Sequence, residues 1–277
     1  MDRLGRNCLP LLEQLSEEFE ANALGSGLHL IDRKIEVRRR ARFHLPDCPV
    51  IVLDATGEPE LYAQVLGRDV EELRAAPELQ VVPETNQLAL SVSQTSLRSN
   101  TSYREQIFEA VGLICQQAEG DVALIAAKQV LEMLPSDLRE RLAFAGHYYN
   151  LRGLNAVEDV EPSDFIVLGT PEPNPEGLQA MVEALDLQPH GLRRVHVDLD
   201  FPTVHGPWSN PVRVYRDGTL RLWHQTLREN ELHQAAYRIR PMTNVDTTVW
   251  LFTNLPIEGL PPNRVFTSAN DLLDHLR

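Results

Sequence analysis

Val122-Ala123-Leu124-Ile125-Ala126, a helix-spaced run from Gln129 to Leu142, and then Phe165-Ile166-Val167-Leu168 ending at Gly169 form the stretch that decides the fold. The two short runs are apolar without a break, which suits strands buried on both faces of a parallel sheet rather than strands with one wet face. The same alternation continues outward in both directions. Tyr103 to Gln117 is amphipathic at helical spacing, Gly177 to Leu185 follows the helix-starting Pro173-Asn174-Pro175, and Leu227 to Ile239 is again helical. Thr248 to Phe252 reads as a strand and Ala269 onward as a helix. Strands alternating with helices predict an α/β fold, a mainly parallel sheet with flanking helices.

Between Gly177 and Leu227 the pattern changes. Val195 to Asp200 alternates as a strand, and Val212-Arg213-Val214-Tyr215 and Leu220-Arg221-Leu222-Trp223 flank Asp217-Gly218, a β-hairpin signal. Upstream, residues 3 to 22 have helical spacing, and Leu28 to Val37 reads as short strands. Cys48-Pro49-Val50-Ile51-Val52-Leu53-Asp54-Ala55-Thr56 is an apolar run that reads as a buried strand, with a helix starting at Pro59. Residues 76–101, with Pro77, Pro83, Asn86 and a Ser/Thr/Gln-rich stretch around a possible strand at Leu88 to Val92, are the expected linker. It divides a small domain, residues 1–75, from a larger one, residues 102–277.

Composition narrows the function classes. The net charge is −14, with 24 arginines among the 26 basic residues, so a surface that grips nucleic acid all over is excluded while a local groove is not. Arg38-Arg39-Arg40-Ala41-Arg42 is the one dense basic run, and such runs are commonly solvated faces. Cys8, Cys48 and Cys115 are too few and too scattered for a zinc site or a disulfide framework. No apolar stretch approaches membrane-spanning length and the start of the chain lacks a signal peptide's apolar core, so the sequence reads as cytoplasmic and away from membranes.

Three runs carry candidate chemistry. Gln234-x-x-x-Arg238-x-Arg240-Pro241 ends a helix, and arginines so placed can reach the phosphates of a nucleotide held by another domain. They could equally pair with Glu229 or Glu231 on a surface helix. Arg152-Gly153-Leu154-Asn155 precedes the strand that ends in Gly169-Thr170, and the carboxyl ends of parallel strands are where such sheets take ligands. The strand tip Leu53-Asp54-Ala55-Thr56 is the third.

In this order the runs resemble motifs of superfamily 2 helicases. Val50 to Thr56 is similar to the Ser-Ala-Thr strand of the first RecA-like domain, with Asp54 in the serine's place. Val122 to Lys128 is similar to the first strand of the second RecA-like domain. Arg152 to Asn155 is similar to the loop joining nucleic acid to nucleotide, and Gln234 to Pro241 to the arginine-finger motif. The resemblance implies that Arg238 and Arg240 are catalytic toward ATP with Mg2+, and that Gln234, Gly153 and Asn155 face the nucleotide. It also implies that Asp54, Thr56 and Arg152 couple to DNA, expected to be single-stranded. The chain has no Gly-x-x-x-x-Gly-Lys-Ser/Thr loop, and its two lysines, Lys34 and Lys128, do not follow glycine. The resemblance therefore implies the C-terminal RecA-like half of an ATP-dependent DNA helicase, a hydrolase whose phosphate loop comes from a partner domain or subunit.

Two other readings stand beside it. A non-catalytic nucleic-acid-binding or adaptor module would keep the fold without the motor. A metal-dependent hydrolase would use His196, Asp198 and Asp200, which share one strand face, with His205 near in sequence. Alternation of this kind is also what a half-exposed strand shows, and the expected metal set is none. His147 beside Tyr148 reads as structural or as a stacking surface.

Overall fold

A computed structural model of the chain describes residues 28–31, 34–37, 49–54, 57–73, 82–150, 160–185, 187, 189–240 and 244–277. The chain divides into two compact units. The smaller takes in Met1–Leu73, Asn174–Arg193 and Tyr215–His224, and the larger Arg74–Pro173, Arg194–Val214 and Gln225–Arg277. In chain order the elements are β1 (Leu28–Ile31), β2 (Lys34–Val37), α1 (Pro59–Leu66), β3 (Thr85–Leu88), α2 (Gln94–Ser99), α3 (Thr101–Gln117) and β4 (Val122–Ala126). Then come α4 (Lys128–Met133), α5 (Ser136–Glu140), β5 (Phe144–His147), β6 (Asp164–Leu168), α6 (Pro175–Glu183), β7 (Arg194–Thr203) and β8 (Gly206–Tyr215). The chain continues through α7 (Gly218–Ala236), a 3₁₀ turn (Tyr237–Ile239), β9 (Thr248–Phe252), β10 (Arg264–Phe266) and α8 (Ala269–Leu276).

The larger unit is built on a six-stranded sheet in the order β10-β3-β9-β6-β4-β5, every neighbouring pair parallel. Strands β4, β6 and β9 are apolar on both faces because both faces are covered. Leu124, Ala126, Ile166, Leu168, Trp250 and Phe252 pack on the side of α2, α3, α4 and α8. Ala123, Ile125, Phe165, Val167, Val249 and Leu251 meet Leu232, Ala235 and Ala236 of α7 and Val212 and Val214 of β8. The α/β architecture read from the sequence, a mainly parallel sheet with flanking helices and a β-hairpin, is the one observed. α3 starts where Asn100 Oδ1 accepts the Tyr103 amide at 3.0 Å, and it buries Ile107, Phe108, Ala110, Val111 and Ile114, a single helical stripe.

Several expectations change. The hairpin is β7 and β8, turning at Val204 and His205, and Leu220 to Trp223 is helix rather than strand. Asp217-Gly218 is the start of α7: Asp217 Oδ1 accepts the Leu220 amide at 2.9 Å, so the dipeptide caps a helix instead of closing a turn. Residues 129–142 form two helices rather than one, separated by Pro135, which has no N–H to continue the ladder. β5 had no signal of its own. The stretch where a linker is expected contains β3, an interior strand of the sheet, and α2.

The expected buried strand at Val50 to Thr56 is also corrected. Residues 49–54 have no ladder partner among the described residues, with Ile51 83% and Leu53 93% exposed, and Ala55 and Thr56 lie outside those residues. An apolar run becomes a buried strand only when neighbouring strands supply hydrogen bonds and cover.

In the smaller unit β1 and β2 pair antiparallel. Pro59 opens α1, and Gly67, at φ 65°, closes it. Trp223 Nε1 donates to Gln64 Oε1 at 3.0 Å, and the rings of Tyr215 and His224 meet edge to face at 5.1 Å. Asp217 Oδ2 also accepts the His190 amide at 2.9 Å. Partial burial raises the Asp217 carboxyl, but the amides of Leu220 and His190 and the charge of His190 outweigh it, leaving it below its ordinary value. A depressed carboxylate contributes stability above its unfolded pKa of about 3.9 and loses it as pH falls through the lower folded value. Asp217→Ala is therefore expected to cost about 1 kcal/mol at neutral pH. Urea denaturation at neutral pH and in acid checks this: the gap between variant and wild type closes below the folded pKa.

Candidate functional site

The run from Glu231 to Arg240 is positioned by the burial pattern of α7. Arg228, Glu231, Leu232, Ala235, Ala236 and Ile239 face inward at three- and four-residue spacing. That leaves Gln234 and Arg238, four residues apart, half-buried on one shared flank. After the 3₁₀ turn, Arg240 adopts φ 49° and ψ 68°, a left-handed conformation that turns the chain out of the helix and leaves the residue exposed. A branched-off arginine in that region is unusual, because Cβ crowds the backbone there.

The turn is held from both sides. The Arg240 amide donates to the Tyr237 carbonyl at 3.0 Å, the Arg240 carbonyl accepts the Asn244 amide at 3.1 Å, and Asn244 Nδ2 donates to the Ile239 carbonyl at 2.6 Å. The His233 ring stacks on Tyr237 with centroids 4.1 Å apart, and Tyr237 Oη donates to the Glu258 carbonyl at 2.9 Å. Burial holds His233 below its ordinary pKa, against the opposing charge of Glu258, which favours a neutral ring beside the arginines. Nearby, Glu229 pairs with Arg228 at 3.0 Å, and Glu231 Oε1 accepts the Tyr149 amide. Pro241 lies outside the described residues.

This arginine end stands at the amino ends of the strands. A few residues on, Thr247 Oγ1 donates to the Pro162 carbonyl at 2.8 Å and the Thr248 amide to the Ser163 carbonyl at 2.8 Å, where β6 and β9 begin.

The opposite edge of the sheet has its own geometry. After β3 the chain passes to the α3 face, and after its neighbour β9 to the α7 face. Neighbours that diverge in this way open a crevice at their carboxyl ends, the usual ligand position in such sheets. There Thr170 Oγ1 and Thr253 Oγ1 lie 2.8 Å apart, Tyr148 Oη donates to the Gly169 carbonyl at 2.7 Å, and Lys128 is exposed at the end of β4. Burial holds the Tyr148 hydroxyl well above its ordinary value, so it acts there as a neutral donor.

Gly169 is required at this edge. It has φ 91°, its amide donates to the Phe252 carbonyl at 3.0 Å, and a Cβ would stand 2.7 Å from the Val92 carbonyl oxygen. Gly169→Ala meets both the unfavourable φ and a backbone clash, and about 1–3 kcal/mol of stability is expected to be lost, read as a lower urea midpoint.

Of the sequence-derived candidates, the structure places Gln234 and Arg238 together with Arg240 beyond them. Arg152, Gly153 and Asn155 lie outside the described residues, as do Thr56 and the Arg38 to Arg42 run. Asp54 is described: its Oδ2 accepts the Tyr62 hydroxyl at 2.6 Å. His196, Asp198 and Asp200 line the exposed face of β7, with Val195, Val197 and Leu199 packed inward. Among the described residues no group of three or more His, Cys, Asp or Glu side chains is placed to hold a metal ion. The Thr170–Thr253 pair was missed. Its only sequence signal is that both strands end in threonine one or two residues past an apolar run. No helix among the described residues is long and apolar enough to cross a membrane.

No family model matches this chain, and no curated protein does. Two solved structures are similar in fold. One, named XPD helicase, has a TM-score of 0.43 and 15% identity, over 71% of this chain and 37% of that one. The other, named XPD apo, has a TM-score of 0.43 and 13% identity, over 75% and 46%. The chain thus spans less than half of either, and likeness at this level carries no conclusion about activity.

Proposed function

We propose that this chain is the second RecA-like domain of a superfamily 2 DNA helicase or translocase, working on ATP bound by a domain that carries the phosphate loop. The observation that supports it most is the end of α7. Gln234 and Arg238 share a flank, and Arg240 follows on an outward-turned left-handed backbone. An unusual backbone held in place by its surroundings is the kind of feature that functional positions retain. An arginine finger serves a nucleotide on another domain, so its place away from its own sheet's carboxyl edge suits the role.

In this reading the phosphates and Mg2+ belong to the partner, since this sequence has no phosphate loop. Arg238 and Arg240 bind the negative charge that develops during phosphoryl transfer, and Gln234 orients the group beside them. Arg152, Gly153 and Asn155, with Asp54 and Thr56, couple closure of the two domains to single-stranded DNA. The test is ATP turnover by the chain together with its phosphate-loop partner, with Arg238 and Arg240 intact and replaced.

The second reading is an adaptor that retains the fold and the nucleic-acid contact without turnover, and the missing phosphate loop favours it. DNA binding that falls with salt and ignores ATP in the presence of the partner would select this reading over the first.

A further inference from the structure

A cleft of about 530 Å³ opens between the tip of the β7–β8 hairpin and the edge strand β10, within the range of a small-ligand site. It lies in the larger unit and includes neither Arg238 nor Arg240. Its wall is the indole of Trp208, half-exposed and fixed from behind by the buried Phe201, whose ring meets it edge to face at 5.0 Å. His205 at the hairpin tip and Arg264 on β10 are exposed at its mouth.

The platform is tied down. The Val204 amide donates to the Pro262 carbonyl at 3.1 Å, Thr203 Oγ1 to the Gly206 carbonyl at 2.7 Å, and Asn263 Oδ1 accepts the Thr85 amide at 2.8 Å. Arg264 Nη1 stands 2.9 Å from His275 Nε2, which steadies the guanidinium without neutralising it. Among the described residues the lining contains no Asp or Glu, in a chain where 40 of 277 residues are acidic. A rigid aromatic face, a fixed cation and the absence of acids are complementary to a base joined to a phosphate. A peptide strand added to β10 would find an edge only three residues long.

We propose that this cleft binds one unpaired nucleotide of single-stranded nucleic acid, with the base stacked on Trp208 and the phosphate on Arg264. The site needs no ATP and stands independently of the motor reading.

The test is titration of a labelled oligothymidylate with the purified full chain at low salt, followed by anisotropy and by tryptophan emission. Binding should quench emission, and Trp208→Ala should weaken it about tenfold, with Trp208→Phe weakening it less. Arg264→Gln should weaken binding and flatten its salt dependence. The thermal melt of each variant separates lost stacking from lost folding. The titration uses neither ATP nor a phosphate-loop partner, so a failure of the motor reading leaves this result unchanged. Binding unaltered in a folded Trp208→Ala overturns the proposal. So does the absence of binding at low salt, which would turn attention to a peptide on β10.

Discussion

On the proposed reading, replacing Arg238 and Arg240 together with alanine lowers ATP turnover of the chain, assembled with a domain that carries a phosphate loop, by roughly a thousandfold or more, the usual effect of an arginine finger. Stability should move little, within about 0.5 kcal/mol for each site, because Arg238 is half-buried on a flank and Arg240 lies outside the core. Charge alone is not enough. Arg238→Lys keeps the cation but loses the planar fork that grips phosphate oxygens in pairs, so it should recover only a small part of the activity. Arg240→Gly adds a sharper contrast: removing Cβ at φ 49° relieves a backbone penalty of about 1 kcal/mol, so the variant should melt higher while turning over less. A structural arginine would give the opposite pairing, with stability and activity falling together. Steady-state turnover and a thermal melt on the same preparations distinguish the two.

The second large effect is expected at Phe252. Its side chain is 1% exposed on the α3 face of β9, within the cluster that includes Ile166, Leu168 and Phe266. Phe252→Ala removes a ring from a packed interior and leaves a cavity, at a cost of about 3–5 kcal/mol. The Phe252 carbonyl also accepts the Gly169 amide, so loosening β9 loosens the carboxyl edge where Thr170 and Thr253 meet. Phe252→Leu, which keeps most of the volume, should cost much less. Urea denaturation reads the difference as a fall in midpoint with an unchanged slope.

The strands that were legible in sequence are those whose surroundings demand one residue type. β4, β6 and β9 are buried on both faces and can only be apolar runs. β3 was obscure for the opposite reason. Thr85-Asn86-Gln87-Leu88 is polar yet fully buried, and Gln87 spends its amide on the carbonyls of Thr253 and Leu255, tying two neighbouring segments together. Hydrophobic patterning cannot see a strand whose buried side chains are polar and reach tertiary partners, as the Gln87 amide nitrogen does. β5, Phe144-Ala-Gly-His147, lies at the sheet's edge with a mixed burial pattern and carries no period to read.

Local signals also misled where two structures share one dipeptide. Asp217-Gly218 suits a hairpin turn and a helix start equally, and the outcome was decided by Leu220 and Trp223, which belong to a helix. The run at Val50 to Leu53 has the composition of a buried strand but no ladder partner among the described residues, and composition says nothing about whether a partner is present. At the candidate site, the four-residue spacing of Gln234 and Arg238 was readable because it is local. The approach of Thr170 to Thr253 was not, since it is set by packing between segments distant in sequence, and the left-handed backbone at Arg240 has no hydrophobic period to announce it.

The central claim is that this chain completes an ATP site it does not itself hold. ATP hydrolysis by the purified chain alone, with and without single-stranded DNA, tests it most directly, with the Arg238→Ala, Arg240→Ala variant as the control. The account predicts no turnover above that control under either condition. DNA-stimulated turnover by the wild-type chain, absent from the double variant, would contradict it and would place a complete nucleotide site within these 277 residues.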